Sequence, residues 1–363
     1  MSKFTIKELM RKNIVELTPY SSARNEFTGD AKVFLDANES ALDFLGNLGR
    51  NRYPDPSHKK LKAKIAEVME LPQEKLVVGN GSDEMIDLLF RIFCVPGRDK
   101  VLIVEPTYGA YSVFAAINDI EVSTCHLQGD YSLDLRSLET IFKLMQNSTP
   151  EEGMHKLLFL CSPNNPTGNS FPLSEVVAIA NKFPGITVVD EAYVEFSTKP
   201  SAVTLLEKCP RLVVLRTLSK GWALANARVG LALAPPAIVE AMHHVKYPYN
   251  LSGVAQDIAM EVLSQKEAME ENVATVKRER SRMAKELATF KFVEKVFPSD
   301  ANFLLVRVND PDAIYNYLRE RGIIIRNRSN LRGCYGSLRI TIGTEEENNL
   351  VLEALKEMEG RDG

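Results

Sequence analysis

LVVLRTLSKGWALANARVGLALA, residues 212–234, holds an apolar run, a polar turn region and a second apolar run. Neither run alternates apolar with polar residues, so each reads as a strand buried on both faces rather than one half exposed to water. Outward from it the same theme returns in ITVVD (186–190), LLFLC (157–161), EVSTC (121–125), VLIV (101–104) and LVVG (76–79), with helical patterns between them. Together with LVVLR (212–216) and GLALA (230–234) these make seven expected strands. Such runs alternating with helices specify an α/β fold, a mostly parallel sheet covered on both faces, in which ligands gather outside the carboxyl ends of the strands. The residues that follow each strand therefore matter most.

Beyond Pro248 the pattern changes. Residues 254–290 read as one long charged helix, and VEKVFP, NFLLVRV, GIIIR and SLRITIG read as strands interleaved with the helix DAIYNYLRERG. The expected division is a large domain over 51–254 and a smaller α+β domain formed by 255–363 with the amino-terminal segment 1–50, which suits a chain of 363 residues. With 45% apolar and 25% charged residues the chain is that of a folded protein. Its net charge of 44 − 48 = −4 gives no electrostatic reason to bind nucleic acid or an anionic membrane. The five cysteines are odd in number and form no CxxC pair, so free, mostly buried thiols are expected rather than disulfides or a metal site. Charges scattered through MSKFTIKELMRKNIVEL leave no signal-peptide core, and no run of about 20 apolar residues could span a bilayer. A cytoplasmic location is the expectation.

Four motifs follow strands. VVGNGSDEMIDLLFRIF (77–93) ends a strand in Gly-Asn-Gly and opens a helix with Ser82 and Asp83. Unpaired N–H groups and the helix dipole make such a turn a phosphate cradle, with Gly79 and Gly81 allowing close approach, although an ordinary capped helix has the same sequence. LLFLCSPNNPTG (157–168) places the amides of Asn164 and Asn165 after a buried strand, where a structural turn is the simpler account. ITVVDEAYVEF (186–196) closes an apolar strand with Asp190 and Glu191, and Tyr193 follows. A carboxylate there needs a cation: an arginine, a metal or a protonated ligand nitrogen. RTLSKGWALANARVG (216–230) carries Ser219, Lys220 and Arg228 among apolar residues, a setting that lowers an amine's pKa and suits a Schiff-base nucleophile, whereas most lysines are solvated surface charges.

In this order GNGSDE (79–84), PTYGAY (106–111), SPNNPTG (162–168), DEAYVEF (190–196), LSKGWALANARVG (218–230) and LRITIG (338–343) resemble the fold-type I pyridoxal-phosphate enzymes of the aspartate aminotransferase superfamily. PYSSAR (19–24), LDANES (35–40), RYPDP (52–56) and IIIRNRSN (323–330) resemble the histidinol-phosphate aminotransferases within it, and threonine-phosphate decarboxylases share much of the pattern.

The resemblance implies a cofactor, pyridoxal 5'-phosphate, bonded to Lys220, which then serves as the proton-moving base. It gives Asp190 the pyridine nitrogen, Asn165 and Tyr193 the ring hydroxyl, and Tyr108 the ring face. Gly81, Ser82, Asp83, Ser219 and Arg228 surround the cofactor phosphate. Arg326 and Arg339, helped by Tyr20 and Tyr53, grip the substrate phosphate, and Arg339 later grips the carboxylate of glutamate or 2-oxoglutarate. Tyr53 would act in the partner's site of a homodimer. The implied partners are otherwise small-molecule substrates. A departure is Asn226, where relatives carry a small residue. A non-catalytic phosphate-binding α/β protein is the alternative from another class. A transcription regulator on the same fold would need an added DNA-binding domain that this length does not allow.

Overall fold

The computed structural model describes residues 5–19, 32–46, 48–145, 149 and 152–361. All seven expected strands are present as β1 (Leu76–Asn80), β2 (Lys100–Glu105), β3 (Glu121–His126), β4 (His155–Cys161), β5 (Ile186–Asp190), β6 (Leu212–Thr217) and β7 (Val229–Leu233). They form one sheet in the order β1-β7-β6-β5-β4-β2-β3. β2, β3, β4, β5 and β6 run parallel to one another, whereas β7 pairs antiparallel with both β6 and β1. That reversal decides where the motifs meet. Cys161 lies opposite Asp190, and Asp190 opposite Leu215, so the chain leaves β4, β5 and β6 at one edge. Because β7 is reversed, its start lies at that same edge, where Val229 pairs with Asn80 at the end of β1.

The sheet is covered on both faces, as continuous apolar strands require. One face packs Val78, Leu102, Leu158, Val189 and Val214 against helices Lys59–Met69, Leu135–Met145, Leu173–Lys182 and Gly253–Leu263. The other packs Val77, Ile103, Phe159, Val188 and Leu215 against Gly81–Phe93, Ala110–Ile117 and Pro236–Val245. All five cysteines are free and buried.

A second sheet, in the order β10-β11-β9-β8, contains β8 (Val293–Val296), β9 (Phe303–Val308), β10 (Arg326–Asn327) and β11 (Ser337–Thr341). Its apolar face, with Leu304, Val306, Leu338 and Ile340, is covered by helices Lys266–Leu287, Pro311–Glu320 and Glu345–Arg361. Asp310 caps the middle one by accepting from Ala313 N at 2.9 Å, with Pro311 opening the helix.

Two expectations are corrected. The stretch 254–290 is two helices, Gly253–Leu263 and Lys266–Leu287, because Ser264 bonds back to Met260 O and Gln265 leaves helical geometry with φ −108° and ψ 43°. GIIIR contributes only Arg326 to a strand, since β10 pairs over two residues. Of the segment 1–50, Leu9 and Ile14 join the core of the large sheet, while Arg11 N donates to Ile92 O at 2.9 Å and Lys156 Nζ to Leu9 O at 3.1 Å. Through these contacts residues 9–14 pack on the large sheet. Among the described residues, no helix is long and apolar enough to cross a membrane.

Candidate active site

The edge where the strand ends converge holds a cavity of about 170 Å³ lined by Ser82, Asp83, Tyr108, Cys161, Asn165, Asp190, Tyr193, Ser219, Lys220 and Arg228, among others. Residues named from five separate motifs thus line one space. Arg339 reaches it from the second sheet, where its guanidinium donates to Asn165 Oδ1.

The two carboxylates that end β5 have opposite fates. Glu191 is a structural group: Arg216 Nε stands 3.3 Å from it, and Ser201 Oγ and Ala202 N each donate at 2.6 Å. Among the described residues no cation lies within ion-pair distance of Asp190. It accepts from Tyr111 Oη at 2.7 Å and from Ala192 N at 3.0 Å, which fix its orientation. Burial pushes its pKa up to about 6, with Asp83 and Glu191 adding to the rise against the opposing effect of the two hydrogen bonds. A buried carboxylate aimed into a cavity, oriented but unneutralised, calls for a protonated ligand nitrogen.

Lys220 stands at the mouth of the cavity, partly open to solvent, with its Nζ 5.7 Å from the centre of the Tyr193 ring. Its surroundings lower the ammonium pKa, first by burial of its inner part and then by Arg339 and Arg228. Asn165 connects the two sides of the site, donating to Tyr193 Oη at 3.4 Å while accepting from Arg339. Tyr193 packs edge-on against Phe303 of β9 with ring centres 5.2 Å apart, so the second sheet bears directly on the pocket.

The same cavity holds an anion cradle. The helix Gly81–Phe93 opens toward the cavity, and Arg228 Nη1 donates to Ser219 Oγ at 3.3 Å while Nη2 lies 3.3 Å from Asp83. Ser219 is held in turn by Thr217, whose Oγ1 donates to Ser219 Oγ at 2.9 Å. Gly81 has φ +79°, and a Cβ there would sit 2.6 Å from Arg228 Nη2. A Cβ on Gly230 would fall 2.0 Å from Ser82 N, so glycine is needed for β7 to pass beneath the turn. Amide donors at a helix start, two hydroxyls and a guanidinium fit a phosphate. Asp190, Tyr108, Asn165 and Tyr193 fit a protonated aromatic ring bearing a hydroxyl, and Lys220 fits an aldehyde. The donor set matches pyridoxal 5'-phosphate at each end.

Tyr53, expected in the site of a partner subunit, does not line this cavity. Tyr53 is 50% exposed and stacks on Tyr249 with ring centres 4.4 Å apart. Tyr20 lies outside the described residues. Arg326 sits exposed on β10 directly opposite Arg339. Sequence reasoning missed Tyr111, whose hydroxyl orients Asp190 and whose ring stacks on Phe159 at 4.6 Å, although it lies within PTYGAY. It also missed the support that Thr217 gives Ser219.

The family model for aminotransferases of class I and II matches residues 23–355. A histidinol-phosphate aminotransferase of Parabacteroides distasonis is 45% identical over 353 residues, covering 97% of this chain and 99% of that one. Another from Christiangramia forsetii is 43% identical over 361 residues, covering 99% of each. A crystal structure of the histidinol-phosphate aminotransferase from Clostridium acetobutylicum superposes with a TM-score of 0.76 at 26% identity, covering 86% of this chain and 92% of that one. Similarity of this depth runs through both sheets and every motif of the site, and on that ground the chain belongs to the class I and II aminotransferases.

Proposed function

We propose that this aminotransferase interconverts L-histidinol phosphate and 2-oxoglutarate with imidazole-acetol phosphate and L-glutamate, a step of histidine biosynthesis. Near full-length relatives at 40–45% identity carry that name. The observation that carries the reading is chemical: Arg326 pairs across the strands with Arg339, which acts on the lysine, and neither arginine is paired with a carboxylate among the described residues. Every substrate named carries at least one anion, and a planar guanidinium fork suits both phosphate and carboxylate.

When bound, pyridoxal 5'-phosphate supplies a carbonyl carbon that receives the amino group and a cationic ring that takes up the electron pair left as the substrate C–H bond breaks. Arg228, Ser219, Ser82 and the amides at the helix start from Gly81 would hold its phosphate, with Arg228 also compensating the nearby Asp83 carboxylate. Tyr108 would cover the ring, and Asn165 with Tyr193 would hold its hydroxyl. Asp190 would keep the ring nitrogen protonated, and Tyr111 and Ala192 N hold the carboxylate in place for that task. Lys220 would anchor the cofactor. Its lowered pKa favours the neutral amine that can take the proton from the substrate carbon and return it. Arg339, reaching past Asn165, would align substrate so that this proton faces Lys220.

The test is a panel of amino donors with 2-oxoglutarate, in which histidinol phosphate should give the highest kcat/KM. Glutamate alone should yield about one equivalent of 2-oxoglutarate per subunit. A phosphothreonine decarboxylase would give none and would release carbon dioxide from its own substrate.

We further propose a homodimer in which Tyr53 completes the partner's site. On the segment that carries Tyr53, Leu35 and Phe44 are 89% and 90% exposed, and Tyr247, Val254 and Ile258, on the stretch that carries its stacking partner Tyr249, are also open to solvent. Arg50 ties this segment to the helix Gly253–Leu263 through Asp257 at 2.6 Å, so the apolar side chains share one region, as association surfaces do. Mixing inactive Lys220→Ala subunits with inactive Tyr53→Ala subunits should restore up to about a quarter of wild-type activity, because random pairing makes half the dimers hybrid and each hybrid keeps one intact site. A monomer in sedimentation at assay concentrations, or no recovery on mixing, would exclude this assembly.

A further inference from the structure

Arg328 is assigned no role by the motifs, and the strand register brings it to the substrate side. Arg326 pairs with Arg339 and Asn327 with Leu338, and Arg328 N donates to Ser337 O at 2.9 Å, carrying the ladder one residue further. Side chains alternate along a strand. Arg326, Arg328 and Arg339 therefore share one face, while Asn327 turns away to donate to Asp312 at 2.6 Å and Leu338 enters the helix-covered core.

The three guanidinium groups act on one another. Apart from burial, the strongest influence lowering the Arg339 pKa is Arg328, and the strongest on Arg328 is Arg326. Arg328 also feels the Tyr193 hydroxyl, which lines the cavity. Among the described residues no carboxylate pairs with any of the three, and the Nε atoms of Arg328 and Arg339 are buried without a hydrogen-bond partner. Three adjacent cations with unused donors are unfavourable without a counter-charge. One carboxylate would leave most of that charge unbalanced, whereas a dianion with several acceptor oxygens balances it.

We propose that Arg328 is a third substrate-binding arginine, which with Arg326 holds the dianionic phosphate of the amino donor and so sets the preference for phosphorylated over unphosphorylated amines. This rests on the substrate reading above. With two arginines on the phosphate, Arg339 is left to align the substrate.

The test compares wild-type, Arg328→Gln and Arg328→Lys holoenzymes on L-histidinol phosphate and on unphosphorylated L-histidinol. For Arg328→Gln, kcat/KM for histidinol phosphate should fall ten- to a hundredfold, mainly through KM, with histidinol changed less than threefold. Arg328→Lys should recover part of the loss, and inhibition by inorganic phosphate should weaken at least tenfold in Arg328→Gln. Equal losses on both amines, or no loss on histidinol phosphate, would overturn the assignment and make Arg328 structural or solvent-facing. If the wild type does not use histidinol phosphate, the substrate reading fails on its own. Calorimetric titration of the same holoenzymes with inorganic phosphate then decides: weaker binding by Arg328→Gln supports the assignment, and equal binding overturns it.

Discussion

Lys220→Ala is expected to yield a folded protein with no measurable transamination, a loss on the order of 10⁵–10⁶-fold by the scale seen when other enzymes lose their covalent nucleophile. Lys220 is the one lysine among the residues lining the cavity, so no neighbouring amine can replace it. The fold should not suffer. The Lys220 ammonium pKa is lowered first by burial and then by Arg339 and Arg228, against the smaller opposing effect of Asp190 and Asp83, so removing the charge relieves desolvation and repulsion. The variant should therefore melt at or slightly above the wild-type temperature when both lack cofactor. Borohydride reduction of wild-type holoenzyme, followed by digestion and mass spectrometry, should place the cofactor on the peptide carrying Lys220. Label on another lysine, or turnover by the alanine variant above about a thousandth of wild type, would remove Lys220 from this role.

The large sheet was legible because its strands are buried on both faces. ITVVD and LLFLC have no other way to satisfy so many adjacent apolar side chains, and their ends fell where the sequence placed them, within two residues. The same logic singled out Asn165, Asp190, Lys220 and Arg228, each ending a strand or lying just beyond or before one, and the structure brings the four to one cavity. It could not find what depends on register. Arg328 is one charge among several in IIIRNRSN until Arg326 is known to pair with Arg339; only then does alternation give it a face. Tyr111 was hidden differently. A tyrosine in a helix reads as an ordinary buried aromatic, and its hydrogen bond crosses 79 residues to Asp190. The break between Gly253–Leu263 and Lys266–Leu287 was illegible because Ser264 and Gln265 are both tolerated inside helices. Leu9 and Ile14 sit on helices of four residues, too short to show a period, and tertiary contact alone selects the sheet they join.

Asp190→Asn should separate chemistry from stability, because its effects on the two have opposite signs. An amide cannot hold the ring nitrogen protonated, and removal of one preorganised charge from a water-poor site costs about 10²–10³ in kcat. Cofactor should also dissociate more readily. The protein without cofactor should behave otherwise. The Asp190 pKa is raised to about 6 from 3.8, chiefly by burial, so the folded state holds this proton more tightly than the unfolded chain does. The contribution of this group to stability is therefore full below about pH 4, is lost as pH rises to about 6 and stays lost above it. At about 1.4 kcal/mol per pKa unit, an ionised Asp190 weakens the cofactor-free protein by roughly 3 kcal/mol at pH 7. Asparagine keeps the shape, its Oδ1 accepting from Ala192 N and its Nδ2 donating to Tyr111 Oη, so cofactor-free Asp190→Asn should match or exceed wild-type stability at pH 7–8 and lose that advantage near pH 4. Urea titrations of both cofactor-free proteins across this range, set beside kcat at saturating cofactor, test the two halves together. Near-normal turnover would detach Asp190 from the ring nitrogen. A variant less stable at pH 8 than at pH 4 relative to wild type would show that the buried carboxylate is already neutralised within the protein.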